Sequence, residues 1–225
     1  MSTLVDEPFD TRQPSGWIVE DRGGGHVAHV TDGAEPASPG GAVRFTWPTG
    51  STSENPGIVE RTFAGSKHIF IGATFKIQSP SVWGFDGIEK LFIVNQQEGC
   101  RSRAFLELTG ALSTNAYSGS IGLLGFYGLP DASAEPTLPA NRSAVHVRHD
   151  EWFKVEIELA ASSSTGSPDG VYRLWINDTL VWEYTNLQLS ACAWETLLIW
   201  PQMGDQISRA VPQHIDVGHV YVARR

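Results

Sequence analysis

The segment 149–184 constrains the fold more than any other part of this 225-residue chain. From Phe153 to Leu159 every second residue is apolar and the residues between them are charged. This period of two predicts a strand with one buried and one exposed face. After a turn rich in Ser, Gly and Pro, two further β-rich runs flank Asn177 and Asp178. Both residue types tolerate a positive φ, so the pair predicts a tight hairpin. The segment therefore predicts an antiparallel all-β protein.

The same segment carries a spaced pattern of acidic, aromatic and turn residues. The positions are Glu151, Trp152, Val155, Glu156, Gly170, Trp175, Asn177 and Asp178. This pattern resembles the concanavalin A-like jelly roll, and within it the branch that contains polysaccharide lyases and lectin-like proteins. The resemblance implies a two-sheet sandwich whose concave sheet binds saccharide. Because the pattern describes scaffold geometry, it says more about the fold than about an activity.

Strand-like runs recur along the rest of the chain, separated by Gly- and Pro-rich turns. We expect the first strand near Phe9 and the last at His214–Ala223. A helical period is supported for one turn at most, at Ser190–Glu195. Short strands at regular spacing predict a sandwich or barrel. We therefore expect one domain over residues 1–225, an all-β, antiparallel two-sheet β-sandwich of the concanavalin A-like jelly-roll type.

Charge and composition exclude several classes of partner. The net charge of −9 disfavours nucleic acid and anionic lipid, both of which require a basic face. No run approaches the roughly 20 apolar residues of a membrane span. The N-terminus lacks the basic region and apolar core of a signal peptide. Either the sequence is a trimmed one, or the protein acts without that export route, in the cytoplasm or on a virion.

The two cysteines and the histidines predict neither a cofactor nor a metal site. Cys100 and Cys192 lie far apart in the sequence, and we favour two buried free thiols over a disulfide. No Cys and His spacing resembles a zinc site. No contiguous run of oxygen ligands resembles a calcium loop.

The jelly-roll resemblance implies which strands would form the saccharide-binding sheet. They are Ile69–Gln78, Glu89–Gln96, Arg103–Leu108, Ile121–Tyr127 and Thr196–Gln202. Alternation along these strands then points polar and aromatic side chains into a groove, where rings stack on sugars and Arg or Gln donate hydrogen bonds. The predicted ligand-binding residues are His68, Lys76, Trp83, Lys90, Gln96, Arg103, Trp200 and Gln202. An ordinary solvated sheet face is the alternative interpretation.

An enzyme on this scaffold would cleave uronic-acid glycans by β-elimination. That reaction needs a group that neutralises the carboxylate, a base and an acid. The candidates are Arg103 or Gln96 for the carboxylate, His68 or Lys76 as the base, and Tyr117 or Tyr127 as the acid. These residues fall in no recognisable lyase signature, and the Glu-x-Asp-x-x-Glu spacing of a retaining glycosidase is absent.

Without a catalytic signature, we expect a non-enzymatic, lectin-like binding or structural module. The setting we infer is the surface of a phage virion, as a decoration or tail-associated protein. Its partners would be a glycan or neighbouring proteins of an assembly. A polysaccharide lyase is the alternative, and a purely architectural domain that packs on a neighbouring protein is a third interpretation.

Overall fold

A computed structural model describes residues 1–10, 14–32, 40–77, 88–100, 102–109, 120–128, 146–148, 150–202 and 210–225. Of these residues, the model describes only the backbone at positions 88–90, 105, 107–109, 120–128, 146, 148, 181 and 182. These residues form strands and no helix. The strands are β1 (Ser2–Glu7), β2 (Trp17–Asp21), β3 (His26–Val30), β4 (Ala42–Trp47), β5 (Gly57–Ser66), β6 (His68–Ile77), β7 (Ile88–Gln96), β8 (Arg103–Thr109), β9 (Ser120–Gly128), β10 (His146–Arg148), β11 (Trp152–Ala160), β12 (Pro168–Ile176), β13 (Thr179–Gln188), β14 (Trp194–Gln202) and β15 (Gln213–Arg224).

The strands form two antiparallel sheets, which confirms the predicted two-sheet β-sandwich. The back sheet has the order β13-β12-β11-β6-β15-β4-β3, with β1 also paired to β15. The front sheet has the order β10-β9-β8-β7-β14-β5-β2. The first strand begins at Ser2, earlier than predicted. Phe9 instead follows β1 as a buried residue with a φ of 50°.

Side chains from both sheets meet in one apolar core. Phe75 of the back sheet stacks against Phe92 of the front sheet with ring centroids 6.2 Å apart. Phe75 also stacks against Phe153 of its own sheet at 5.9 Å. Trp47 and Trp194, one from each sheet, are fully buried in the same core. The strands therefore bury the side chains of one face in the core and direct those of the other face outward.

The hairpin between β12 and β13 has the geometry that its sequence predicts. Asn177 and Asp178 have φ values of 46° and 65°, as a type I′ turn requires. The Asn177 amide donates to the Lys154 carbonyl at 3.0 Å. Its side-chain oxygen accepts from the Lys154 amide at 2.8 Å. The turn is thereby fastened to the neighbouring strand.

The sequence allowed one helical turn at most, at 190–195, and the structure has none there. Residues 191–193 are irregular, and β14 begins at Trp194. Gln96 donates to the carbonyl oxygens of Ser190 and Cys192, both at 2.9 Å. In a helical turn, backbone amides of the same turn would donate to such carbonyls; here the Gln96 side chain donates to them instead.

The expectation of two free thiols was also wrong, because Cys100 and Cys192 form a disulfide. Cys100 follows β7 and Cys192 precedes β14, and these strands are neighbours in the front sheet. Their pairing brings the two Cα atoms to 6.4 Å although 92 residues separate them in sequence. Only the long-range pairing of strands reveals this proximity.

Breaking the disulfide should destabilise the protein, because it removes a link that limits the entropy of the unfolded chain. We expect the double variant Cys100→Ser/Cys192→Ser to lose about 2–4 kcal/mol of unfolding free energy. Denaturant unfolding with and without reductant measures this loss. Reductant should lower the midpoint of the wild-type protein and leave that of the double variant unchanged. A wild-type midpoint that does not respond to reductant would contradict the bond.

Candidate functional site

The sequence-predicted ligand residues divide between the two sheets. Lys90, Gln96, Arg103, Trp200 and Gln202 belong to front-sheet strands. His68 and Lys76 belong to β6, at the centre of the back sheet. The prediction that 69–78 shares a sheet with the other candidate strands was therefore wrong. Alternation separates the two faces of a strand, but it does not reveal which sheet the strand joins.

His68 takes part in an ion-pair network on the outer face of the back sheet. Its Nε2 lies 2.7 Å from Glu158 Oε1, and Arg173 Nη1 donates to Glu158 Oε2 at 2.6 Å. Arg173 Nε also donates to Glu183 at 2.6 Å. Burial raises the pKa of Glu158, but the hydrogen bonds from Arg173 and His68 outweigh it and lower the pKa overall. His68 thus stabilises a carboxylate of its own sheet.

Lys76, further along β6, also contacts an acidic side chain of the back sheet. Its Nζ lies 3.5 Å from Asp216 Oδ2 and 5.1 Å from the centre of the Trp152 ring. Arg44 forms a two-pronged pair with the same fully buried Asp216, at 2.7 and 2.9 Å. The core separates His68 and Lys76 from the front sheet, so neither can act as a base there.

The lowered pKa of Glu158 predicts how stability depends on pH. The carboxylate favours the native state above its unfolded-state pKa of about 4.5, and this contribution is lost as the pH falls through the lower native pKa. Glu158→Gln should therefore be less stable than wild type at neutral pH. The difference should shrink as the pH falls below 4.5, because protonated Glu158 resembles Gln. Unfolding free energies across this range test it, and a constant difference would contradict it.

The outer face of the front sheet, here called the front face, is built from cross-strand rows. In one row Arg103 lies opposite Asn95, and Asn95 lies opposite Thr196. Residues directly opposite each other share a face of the sheet. Arg103 is exposed, and no carboxylate in the described part of the chain pairs with it. The half-buried Asn95 has a buried Oδ1 with no hydrogen-bond partner. Among the described residues, this row therefore presents an exposed cation without an acidic partner, next to a half-buried amide.

Two further rows continue the front face along β7 and β14. The next row is apolar at Ile93 and Leu198. Beyond it, Gln202 lies opposite the backbone of Lys90, and Gln202 Nε2 donates to Glu54 Oε2 at 3.3 Å. Trp200 is half-buried, and its indole nitrogen is buried without a hydrogen-bond partner. Polar and apolar rows thus alternate along this part of the front face.

Glu54 links this end of the front face to a depression of about 710 Å³. The depression is lined by the loop of residues 48–55 together with Gly23 and Gly24. Hydroxyl side chains of Thr and Ser dominate this loop. A chain-like ligand on the front face could extend into it past Gln202.

The edge strand of the front sheet, β10, was not predicted from the sequence. In the structure His146 lies opposite Gly122, which in turn lies opposite Thr109, and Arg148 lies opposite Ser120. Val147 between them is buried in the core. His146 and Arg148 therefore occupy front-face positions, and the alternation of His-Val-Arg is the signal that could have revealed them.

The other predicted site residues do not join this face. Gln96 is only 5% exposed and hydrogen-bonds to loop carbonyls, so the prediction that it faces the groove was wrong. Tyr127 lies opposite Ala104, which is buried in the core, so its position is on the core side of β9. Trp83 and Tyr117 lie outside the described residues.

Within the described ranges, no group of three His, Cys, Asp or Glu residues could hold a metal ion. In the same part of the chain, no helix is long and apolar enough to cross a membrane.

Comparison with known proteins finds similarity in structure alone. No protein-family model matches the chain, and no curated protein matches its sequence. A mutant of the alginate lyase Aly36B in complex with an alginate trisaccharide superposes with a TM-score of 0.65 at 10% identity, covering 93% of this chain and 98% of that one. An endo-β-1,4-glucuronan lyase from the fungus Trichoderma reesei gives 0.61 at 12%, covering 96% of each chain. The alginate lyase vAL-1 from Chlorella virus gives 0.61 at 15%, covering 100% and 99%.

These neighbours confirm the resemblance to the polysaccharide-lyase branch of the jelly-roll fold. They contradict our expectation of a non-enzymatic, lectin-like or virion module, because most of the similar structures we identified are alginate or glucuronan lyases. They agree with the expectation that an enzymatic activity, if present, is that of a polysaccharide lyase. A second Aly36B mutant, in complex with an alginate tetrasaccharide, is also similar, with a TM-score of 0.66 at 11% identity, covering 93% of this chain and 97% of that one.

Proposed function

We propose that the chain is a polysaccharide lyase that cleaves a uronic-acid glycan by β-elimination on its front face. The observation that carries this proposal is the row of Arg103, Asn95 and Thr196. Arg103 is an exposed cation without a carboxylate partner among the described residues. The back-sheet cations Arg44, Arg173 and Lys154 are, by contrast, paired with acidic side chains.

Arg103 is the group we assign to a uronate carboxylate of the substrate. A guanidinium can donate two parallel hydrogen bonds to a carboxylate, and such charge-assisted bonds are about twice as strong as neutral ones. The half-buried side chains of Asn95 and Thr196, in the same row, offer further polar partners for sugar hydroxyls. Aromatic Trp200, on the same face, offers a surface for the C–H side of a pyranose.

The elimination itself needs proton transfers at one sugar. A base removes the proton from the carbon that bears the carboxylate, and its electrons form a double bond to the neighbouring carbon. The bond from that carbon to the glycosidic oxygen breaks, and an acid protonates the oxygen. We assign the base to His146, because its position lies on the front face and a neutral imidazole accepts protons near neutral pH. We keep Tyr117 as the candidate acid.

His146 and Arg103 serve different units of the polymer. His146 lies in the row of Thr109, six residues from Arg103 along β8, which is about 20 Å. Arg148 occupies a position two residues from His146 on the same face, and we assign it to the carboxylate of the reacting unit. Arg103 then binds the carboxylate of a more distant unit. This spacing favours a polymeric substrate, and the similar structures make alginate and glucuronan the first to test.

The two assignments predict different kinetic losses. His146→Ala should lower kcat by about 10²–10⁴-fold, the contribution of general acid–base catalysis. Arg103→Ala should chiefly raise KM, by about tenfold, because it removes a contact made in both the bound substrate and the transition state. The measurement is the ultraviolet absorbance of the unsaturated uronide, with alginate and glucuronan as substrates.

His68→Ala is the matched control, since it removes a histidine from the back sheet. It should retain kcat and KM in the folded protein. The assignment of the front face would be overturned if His68→Ala abolished turnover while His146→Ala retained it. Absence of unsaturated product from folded wild-type protein on both polymers would contradict the proposed substrates.

A further inference from the structure

A second cavity, of about 280 Å³, opens on the outer face of the back sheet. Phe70, Glu156, Trp175, Asp178 and Tyr221 line it. Here it is called the back cavity. The apolar core lies between it and the front face, so it is not part of the proposed catalytic site.

One cross-strand row with a glycine at its centre contributes three of the residues around the back cavity. Trp175 lies opposite Glu156, Glu156 opposite Gly72, and Gly72 opposite Tyr221. A Cβ atom at Gly72 would lie 2.0 Å from Tyr221 Cε1, so the tyrosine ring covers the glycine directly. The Tyr221 hydroxyl donates a hydrogen bond to Glu156 Oε1. Glycine at this position therefore lets the ring lie along the sheet and lets its hydroxyl reach the carboxylate.

Aromatic rings stand at both ends of the row. Trp175 on β12 and Tyr221 on β15 are three strand spacings apart, about 14 Å. Phe70 comes from the adjacent row, opposite Glu158. All three side chains are partly exposed. Large aromatic residues on the solvent-exposed outer face of a sheet are available for stacking on a ligand.

The polar groups of the back cavity are positioned to accept hydrogen bonds. Lys154 Nζ lies 3.1 Å from Glu156 Oε2 and 2.5 Å from Asp178 Oδ1. This fixes both carboxylates, while the Asp178 side chain stays 79% exposed. Burial, followed by the hydrogen bond to Glu156, raises the pKa of Tyr221, so its hydroxyl remains a donor.

The local charge selects against acidic ligands. Two carboxylates face one ammonium group in the back cavity, which leaves a net negative charge. A uronate would be repelled, whereas a neutral sugar could donate its hydroxyls to Asp178 and Glu156. The front face, with its free Arg103, has the opposite preference.

We propose that the back cavity binds a short stretch of a neutral polysaccharide, with one pyranose unit stacked on Trp175, another on Tyr221, and their hydroxyls hydrogen-bonded to Asp178 and Glu156. It is a binding site separate from the front face. It would attach the protein to a neutral glycan while the front face remains open.

Calorimetric titration of the full chain with cellohexaose, mannohexaose and laminarihexaose tests the proposal, with alginate oligosaccharides titrated in parallel. We expect at least one neutral probe to bind. Trp175→Ala should weaken that binding by about tenfold, the loss of one stacked aromatic ring. Tyr221→Phe keeps the ring and should cause a smaller loss.

Trp152→Ala is the matched control. Trp152 is another half-buried tryptophan on the outer face of the back sheet, but it contacts Lys76 and does not line the back cavity. This variant should bind the neutral probe as wild type does. Trp175→Ala should also leave turnover of a soluble polyuronate unchanged, which separates this test from that of the proposed function.

Three results would overturn the proposal. One is the failure of the folded wild-type protein to bind any neutral probe. Another is equal binding by Trp175→Ala and wild type, with unfolding midpoints that show both to be folded. The third is displacement of the neutral probe by alginate oligosaccharides, which would place it on the front face.

Discussion

Phe75 of β6 and Phe92 of β7 stack at 6.2 Å in the core, and this contact joins the two sheets. Each strand turns one face toward that core, so all polar chemistry is confined to two outer faces. Packed sheets stand about 10 Å apart, and the side chains between them exclude water. A base on β6 and a cation on β8 consequently cannot meet over one substrate. For this reason the candidate site on the front face includes Arg103 and Asn95 but not His68 and Lys76.

The two outer faces differ in how their charges are satisfied. On the back sheet, Glu158 and Asp216 each accept contacts from two basic side chains, and the surrounding residues form a closed network. On the front face, Arg103 is exposed without a described acidic partner. A closed network stabilises the fold, whereas an open cation costs little in water and gains by binding an anion. The chain is acidic overall, with a net charge of −9, and we propose that Arg103 nevertheless lets this face bind a uronate.

Local patterns in the sequence were sufficient to predict local structure. The strand predicted over 153–159 lies within β11, and the predicted turn has positive φ at Asn177 and Asp178. Burial of Leu197 and Ile199, with Trp200 and Gln202 on the other face, also follows from alternation. Sheet membership could not be predicted this way, because β6 pairs with β11 and β15, which are distant in sequence. The disulfide between Cys100 and Cys192 depends on the pairing of β7 with β14, and β10 depends on its pairing with β9. Alternation along a single strand reveals neither pairing.

The central claim is that the front face performs elimination on a uronic-acid polymer, and the masses of the products test it most directly. Digestion of alginate or glucuronan by the wild-type protein should release oligosaccharides with an unsaturated end, each one water lighter than the corresponding hydrolysis product. Oligosaccharides of the hydrolysed mass would show that the sandwich carries out a different reaction. Polymers that remain intact in the presence of folded protein would contradict a lyase acting on these substrates.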